Sequence, residues 1–135
     1  YTEENYPGFI QSLNVDYVID AIDMVTAKLN IIEVCQRESI PVISCMVGGN
    51  RFYPEKLMIA DINKSHTCPL ARVMRRELKK RGIKKQLVLF STEKPTKPQF
   101  RGEATSPGTC SFVPPVAGFI LAAHVLRTIL EVPEQ

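Results

Sequence analysis

The alternation of apolar and polar positions predicts short buried strands joined by amphipathic helices. Apolar runs at 17–20, 42–46 and 86–90 have strand length and are bounded by turn residues or polar stretches. Between the first two, apolar residues recur at helical spacing and predict a helix over about 25–38. A strand, a helix and a strand with short joints predict a βαβ unit, in which the strands are normally parallel.

The second half of the pattern adds an edge strand and a basic helix. Residues 57–62 alternate enough to predict a further strand, which we expect to be antiparallel at an edge of the sheet. Pro69 suits the first turn of a helix and Gly82 suits its C-terminal cap, so a helix is predicted over 69–80. Residues 1–14 predict a linker or a short helix, because Pro7-Gly8 is a turn signal.

The C-terminal third predicts a long loop and then an apolar helix. Residues 92–113 are rich in Pro, Gly, Ser and Thr and are too long for a plain connection, so we expect a functional or mobile loop. Pro114-Pro115 opens a helix that runs to about Glu131. His124 and Arg127 interrupt its apolar run, which favours a packed terminal helix over a membrane span.

The composition indicates a folded soluble domain and little more. The 135 residues are 44% hydrophobic and 23% charged, both near globular averages, and the net charge of +3 is too small to indicate a nucleic-acid partner. The four cysteines form no C-x-x-C pair, which argues against a zinc site. Two of them lie in apolar helix or strand settings, which indicates buried thiols and favours a reducing compartment, hence the cytoplasm. The chain starts at Tyr1, and we expect that an upstream segment has been removed.

Two carboxylates follow the first predicted strand, Asp20 at its end and Asp23 in the next turn. In open α/β sheets, ligands bind beyond the carboxyl ends of the strands. A carboxylate there can hold magnesium on a nucleotide, or it can cap the next helix. On this pattern Asp20 is the more structural of the two and Asp23 is the candidate ligand. Lys28 can reach a phosphate or pair with Asp20 or Asp23, and a solvated pair on the helix face is the simpler interpretation.

Gly48-Gly49 follows the second strand and allows a ligand to approach the backbone closely, but it matches neither G-x-G-x-x-G nor a P-loop. A tight turn is the plain interpretation.

Basic residues cluster on the helix predicted over 69–80. Most such faces are simply solvated, but here the density is high and only Glu77 opposes it locally, so RNA or DNA phosphates are a candidate partner. The residues on this broad face are Arg72, Arg75, Arg76, Lys79 and Lys80.

Cys68 and Cys110 are the candidate reactive thiols, because Cys68 begins a helix and Cys110 lies in the long loop. Most cysteines in such positions are inert. His66 lies close to Cys68 in sequence, but adjacency does not make a catalytic pair. No catalytic residue is assigned.

Several segments together match a known pattern: 16–23 (DYVIDAID), Lys28, 40–44 (IPVIS), 60–64 (ADINK), 68–78 (CPLARVMRREL) and 111–118 (SFVPPVAG). With these residues the chain resembles the ubiquitin-activating-enzyme-like superfamily of ThiF, MoeB and HesA type. The later segments resemble, more narrowly, the tRNA threonylcarbamoyladenosine dehydratases.

The resemblance implies an α/β fold, a partial Rossmann-like ThiF-type sheet with flanking helices and an antiparallel edge. It implies that 1–135 is the C-terminal part of one adenylating domain, without the N-terminal nucleotide-binding half that carries the glycine-rich turn. Residues 92–113 would then be the mobile crossover-type loop over the site. The unpaired sheet edge of such a part would need its other half or a partner, and we expect a homodimer.

The resemblance also implies ATP and Mg²⁺ as cofactors and tRNA as partner, with no membrane. Asp23 would hold the magnesium and ATP, Asp20 and Lys28 would support that site, and the basic helix would face tRNA. The activity implied is adenylation and cyclisation of threonylcarbamoyladenosine. The alternatives are an enzyme that adenylates the C-terminus of a ubiquitin-like or sulfur-carrier protein, and a non-enzymatic RNA-binding module.

Overall fold

The computed structural model describes residues 1–47, 49, 51–94 and 111–135, which form one four-stranded sheet with helices on both faces. The strands are β1 (Val18–Asp20), β2 (Val42–Cys45), β3 (Leu57–Asp61) and β4 (Leu87–Ser91). The helices are α1 (Phe9–Ser12), α2 (Val25–Arg37), α3 (Pro69–Lys80) and α4 (Val113–Ile129), and short 3-10 turns occupy Pro54–Lys56 and Ile62–Lys64.

The sheet has the order β1-β2-β4-β3. Strands β1, β2 and β4 are parallel, and β3 is antiparallel to β4 at the edge. The predicted βαβ unit and the antiparallel edge strand are therefore confirmed. Because the parallel strands run in one direction, their carboxyl ends and the start of β3 meet at one edge of the sheet. We call this edge the carboxyl edge.

Alternate side chains of the strands build two cores, as the pleat of a strand requires. Val88 and Phe90 pack with residues of α2 and α3 on one face. Ile43 and Leu89 pack with Ala117 of α4 on the other. The sheet is thus covered on both faces, which explains why β2 and β4 read as nearly continuous apolar runs in the sequence.

Element boundaries differ from the predictions by one or two residues. Strand β4 begins at Leu87 and not at Gln86, because the Gln86 side chain donates to the carbonyl oxygens of Val42 and Leu87 and stands just before the ladder. Helix α4 ends at Ile129, slightly short of the prediction. Most of the loop predicted at 92–113 lies outside the described residues.

Helix α4 is a packed helix, as the sequence predicted. Val113, Ala117 and Leu121 are its buried residues, one per turn along the side that faces the sheet. In the part of the chain that the structure describes, no helix has the length and apolar character needed to cross a membrane.

Candidate functional site

A buried carboxylate closes the end of β1. Asp20 Oδ1 accepts a hydrogen bond from the Ile22 amide at 3.0 Å, and Oδ2 accepts one from Ser44 Oγ at 2.5 Å. The register of the parallel pair sets Ser44 directly beside Asp20, which brings the hydroxyl within reach. Asp20 therefore ties β1 to β2 and holds the first residues of the turn that follows.

Lys28 completes this network and corrects a prediction. Its Nζ lies 3.2 Å from Asp20 Oδ2 and donates to the Cys45 carbonyl oxygen at 2.6 Å. Lys28 is only 1% exposed, so the expected solvated pair on the helix face is wrong. The first turn of α2 lies over the sheet, where Ala27 and Leu29 are also buried. The ammonium is therefore taken out of water together with its carboxylate.

Asp23 behaves differently from Asp20. It is exposed and lies in the turn between β1 and α2. The alternative that these carboxylates cap α2 is wrong, because Met24 is the N-cap residue and no side chain caps this helix. The carboxylate of Asp23 thus faces solvent at the carboxyl edge, on a turn whose start is fixed by the buried Asp20.

The donors at this edge fit a metal ion that arrives with a nucleotide. Among residues 1–47, 49, 51–94 and 111–135, no group of three or more His, Cys, Asp or Glu side chains can hold a metal ion by itself. Mg²⁺ on nucleotides is usually held by one or two carboxylates, with phosphates and water completing the shell. The exposed carboxylate of Asp23 fits that arrangement as one ligand and does not fit a cage built from protein ligands alone.

A second buried carboxylate organises the edge beyond β4. Glu93 Oε1 accepts hydrogen bonds from the amides of Phe52 and Tyr53, each at 2.8 Å. The Thr92 amide donates to the Lys56 carbonyl oxygen at 2.9 Å. The segment 52–56 is therefore fastened to the end of β4.

Arg51 links this segment to the start of α3. Arg51 is buried, and its Nη1 and Nη2 donate to the carbonyl oxygens of Gly49 at 3.2 Å and Thr67 at 3.3 Å. The segment after β2 and the N-terminus of α3 consequently form one continuous border of the carboxyl edge. Gly48 and Asn50 lie outside the described residues. Close approach of a ligand to the backbone at Gly48-Gly49 therefore stays a prediction.

The predicted basic face of α3 is largely as expected. The opposite side of the helix is buried through Ala71, Met74 and Leu78, which fixes the orientation of the basic residues. Those exposed to solvent are Arg72, Arg76, Lys79 and Lys80.

Arg75 departs from this pattern. It is half-buried, and its Nη1 donates to the Ser65 carbonyl oxygen at 3.0 Å and to Ser65 Oγ at 2.9 Å. Arg75 lies where the basic face meets the buried face, so its guanidinium turns back to the 3-10 turn before α3. Its assignment to RNA binding stays a prediction.

The cysteines within the described residues are free thiols in apolar surroundings. Cys68 caps α3, is buried, and donates through Sγ to the Met46 carbonyl oxygen at 2.9 Å. Burial, with a smaller contribution from the negative charge of Asp20, raises the pKa of Cys35 from 9.0 to about 11. Burial also raises the pKa of Cys45. Cys110 lies outside the described residues.

Two polar residues of this edge were not found from the sequence. The sequence places Ser44 only within a strand, although a serine between Ile43 and Cys45 in an apolar run indicates a buried hydrogen-bond partner on the neighbouring strand. Glu93 falls within the predicted loop, and its hydrogen bonds to amides about 40 positions earlier leave no local pattern in the sequence.

Comparison with known proteins shows that the chain is similar to one group of proteins, the tRNA threonylcarbamoyladenosine dehydratases. No family model matches. The chain is 39% identical to the tRNA threonylcarbamoyladenosine dehydratase of Bacillus subtilis over 97% of its own length and 57% of the relative's. It is 29% identical to the enzyme of the same name from Escherichia coli over 96% of its length, again matching 57% of the relative. The chain therefore spans about half the length of the curated relatives it matches.

Solved structures agree in fold. The Escherichia coli dehydratase in complex with ATP superposes with a TM-score of 0.83 at 30% identity, over 96% of this chain and 54% of that one. The same enzyme in complex with AMP gives a TM-score of 0.85. HcgE of Methanothermobacter marburgensis, bound to guanylylpyridinol and ATP, gives 0.58 at 17% identity, which shows a shared fold alone.

Proposed function

We propose that this chain, a homologue of the tRNA threonylcarbamoyladenosine dehydratases, is part of an ATP-dependent enzyme that dehydrates threonylcarbamoyladenosine in tRNA. The observation that carries the proposal is the contrast between two carboxylates at the carboxyl edge. Asp20 is buried and bonded to its neighbours, whereas Asp23, three residues later, is exposed and held on a fixed turn. The relative of known structure binds ATP and AMP.

The reaction requires activation of a carboxylate, because a carboxylate is a poor electrophile until one of its oxygens becomes part of a good leaving group. In the proposed reaction a carboxylate oxygen of the modified adenosine attacks the α-phosphorus of ATP, and pyrophosphate leaves. An internal nucleophile of the same side chain then attacks the acyl carbon, AMP leaves, and the ring closes. The balance is ATP converted to AMP and pyrophosphate, with loss of one water from the nucleoside.

The residues of this chain would position that reaction. Asp23 would hold Mg²⁺ on the phosphates of ATP, and the ion would supply charge neutralisation of the triphosphate. Asp20 and Ser44 would keep the turn that carries Asp23 in place. Lys28 has two of its three ammonium donors directed at Asp20 and at the Cys45 carbonyl, so contact with a phosphate would use the third.

The exposed basic residues of α3 would bind backbone phosphates of the tRNA. Four long cationic side chains lie on one solvent-facing side of a helix whose opposite side is packed. Binding of this kind releases counterions, so affinity should fall steeply with salt.

A homodimer is also proposed, with α4 in the interface. Helix α4 exposes apolar side chains away from the sheet, and a surface of this kind favours a protein partner. They are Phe119, Leu126 and Ile129, followed by the exposed C-cap residue Leu130. A second copy of the chain is the partner proposed. The molar mass of the full-length protein in solution tests this, and a monomer at micromolar concentration would refute it.

The function is tested by measuring AMP and pyrophosphate release by the full-length protein. Release that requires tRNA carrying threonylcarbamoyladenosine, and not unmodified tRNA, is the expected result. Release that requires a small carrier protein ending in Gly-Gly would instead establish the alternative activating enzyme. RNA binding without any AMP formation would leave a non-enzymatic RNA-binding module.

A further inference from the structure

Two consecutive aromatic side chains stand on the carboxyl edge with half of their surface in water. Phe52 is 48% exposed and Tyr53 is 53% exposed. They occupy the segment between β2 and the 3-10 turn at Pro54–Lys56. Exposure of two adjacent rings of this size to water is unfavourable in free energy, so the pair indicates a binding partner.

The backbone that presents these rings is fixed. The Glu93 carboxylate binds the amides of both Phe52 and Tyr53 and is itself 5% exposed. The Glu93 amide is held by Ser91 Oγ at 3.1 Å, at the end of β4. A ligand that meets these rings therefore does not have to order the segment first, which lowers the entropic cost of binding.

Cationic side chains lie near the two rings, on a segment that also carries the exposed Glu55. Lys56 Nζ lies 5.4 Å from the centre of the Tyr53 ring, within cation–π range. Lys94, next to Glu93 in sequence, is exposed. Arg51 joins this segment to Thr67, just before α3 and its exposed Arg72. The rings thus lie on the same border of the protein as Arg72, at the N-terminal end of the basic face.

The strand that leads to Asp23 and the strand that fastens the rings lie close together in the sheet. Asp23 follows β1, whereas the segment 52–56 is fastened to the end of β4. With the strand order β1-β2-β4, these two ends are two strand spacings apart, or about 10 Å. One RNA strand can span this distance between the two strand ends, so a nucleotide at Asp23 and a nearby base on the rings are compatible with the sheet.

We propose that Phe52 and Tyr53 form a stacking platform for unpaired bases of the RNA substrate. Sequence-tolerant recognition of single-stranded RNA combines aromatic rings, which stack on bases, with cations that follow the phosphates. Both parts are present here, on a rigid segment beside the candidate ATP site. The platform deepens the proposed function, because it takes RNA as the partner of this edge.

The test is RNA affinity of the full-length protein at several salt concentrations. The probe is an RNA hairpin whose unpaired loop carries aminopurine, an adenine analogue that loses fluorescence when it stacks. The variants are Phe52→Ala and Tyr53→Ala. Each should weaken binding about 5- to 150-fold and reduce the quenching, without changing the slope of affinity against salt. Arg72→Ala should instead lower that slope, because it removes a phosphate contact.

The chain offers a matched control in a second pair of exposed aromatic residues. Tyr6 is 57% exposed and Phe9 is 47% exposed, but they lie by Ile10, which packs with Val42 at the opposite end of β2. Tyr6→Ala and Phe9→Ala should leave RNA affinity and quenching unchanged. Tyr53→Phe should retain binding, since the ring remains.

Three outcomes would overturn the platform. These are unchanged affinity in both Phe52→Ala and Tyr53→Ala, a weakening equal to that of the control pair, or a change in molar mass that makes the rings an interface between copies. The proposed activity has a separate readout. AMP release on modified tRNA by the wild-type protein tests that activity whatever the hairpin result, so the two proposals can fail independently.

Discussion

Replacing Lys28 by methionine should destabilise the fold severely. Methionine keeps most of the volume of the side chain but removes its charge, and it leaves the carboxylate of Asp20 buried without its cation. Breaking a buried ion pair by removing one partner typically costs about 3–5 kcal/mol. Asp20 keeps hydrogen bonds from Ser44 and Ile22, which places the expected loss near the lower limit, about 3 kcal/mol.

A double-mutant cycle separates this interaction from loss of packing. Asp20→Asn alone leaves the Lys28 ammonium uncompensated and should also cost several kcal/mol. The double variant Asp20→Asn/Lys28→Met has neither charge of this pair. Its loss should therefore be smaller than the sum of the single losses by about 1–3 kcal/mol.

Urea unfolding at constant m-value measures these free energies. The Arg81–Glu33 pair is a matched control, because its atoms are only 2.6 Å apart but both side chains are substantially exposed. Arg81→Met should cost no more than about 1 kcal/mol. A Lys28→Met variant within about 1 kcal/mol of wild type, or additive losses in the cycle, would refute the buried pair as a main stabilising element of this edge.

Three further predictions follow from single side chains. Arg75→Ala should lower the free energy of unfolding by about 1–3 kcal/mol in the same urea assay, because Ser65 loses the hydrogen bonds that Arg75 donates. The control Arg76→Ala should change it by less than about 0.5 kcal/mol, and equal losses would contradict the structural role of Arg75. Cys35, whose pKa is raised to about 11 by burial, should resist iodoacetamide at pH 8 in the folded protein and react in urea, as mass spectrometry would show; rapid labelling without urea would contradict its burial. Burial and the nearby Arg127 lower the pKa of His124 below 6.5, so the unfolded chain takes up a proton first and stability should fall as pH drops from about 7 to 5.5. His124→Asn should remove that part of the pH dependence, and an unchanged dependence would contradict it.

The sequence predicted the elements of this fold well because the sheet is buried on both faces. Continuous apolar runs marked β2 and β4, and the helix signals Pro69 and Gly82 marked the limits of α3. These signals lie in neighbouring residues, so they can be recognised in a single sequence. The edge position and direction of β3 were also correct, since its weaker alternation indicates a half-exposed strand.

The site was harder to predict, because its contacts join distant residues. The sequence placed Asp20 and Asp23 at a strand end, but it did not show that Lys28 turns inward to a carbonyl 17 positions away. It gave no sign that Glu93 fastens Phe52 and Tyr53. Helical spacing grouped Arg75 with the exposed basic residues, although a neighbouring turn draws its guanidinium away.

The most direct test of the central claim compares AMP formation by the full-length wild-type protein with that of Asp23→Asn, using ATP, Mg²⁺ and tRNA that carries threonylcarbamoyladenosine. If Asp23 holds the metal on ATP, the variant should unfold in urea within about 0.5 kcal/mol of wild type but lose AMP formation by a factor of about 100 or more. Equal AMP formation by a folded Asp23→Asn protein would contradict the account.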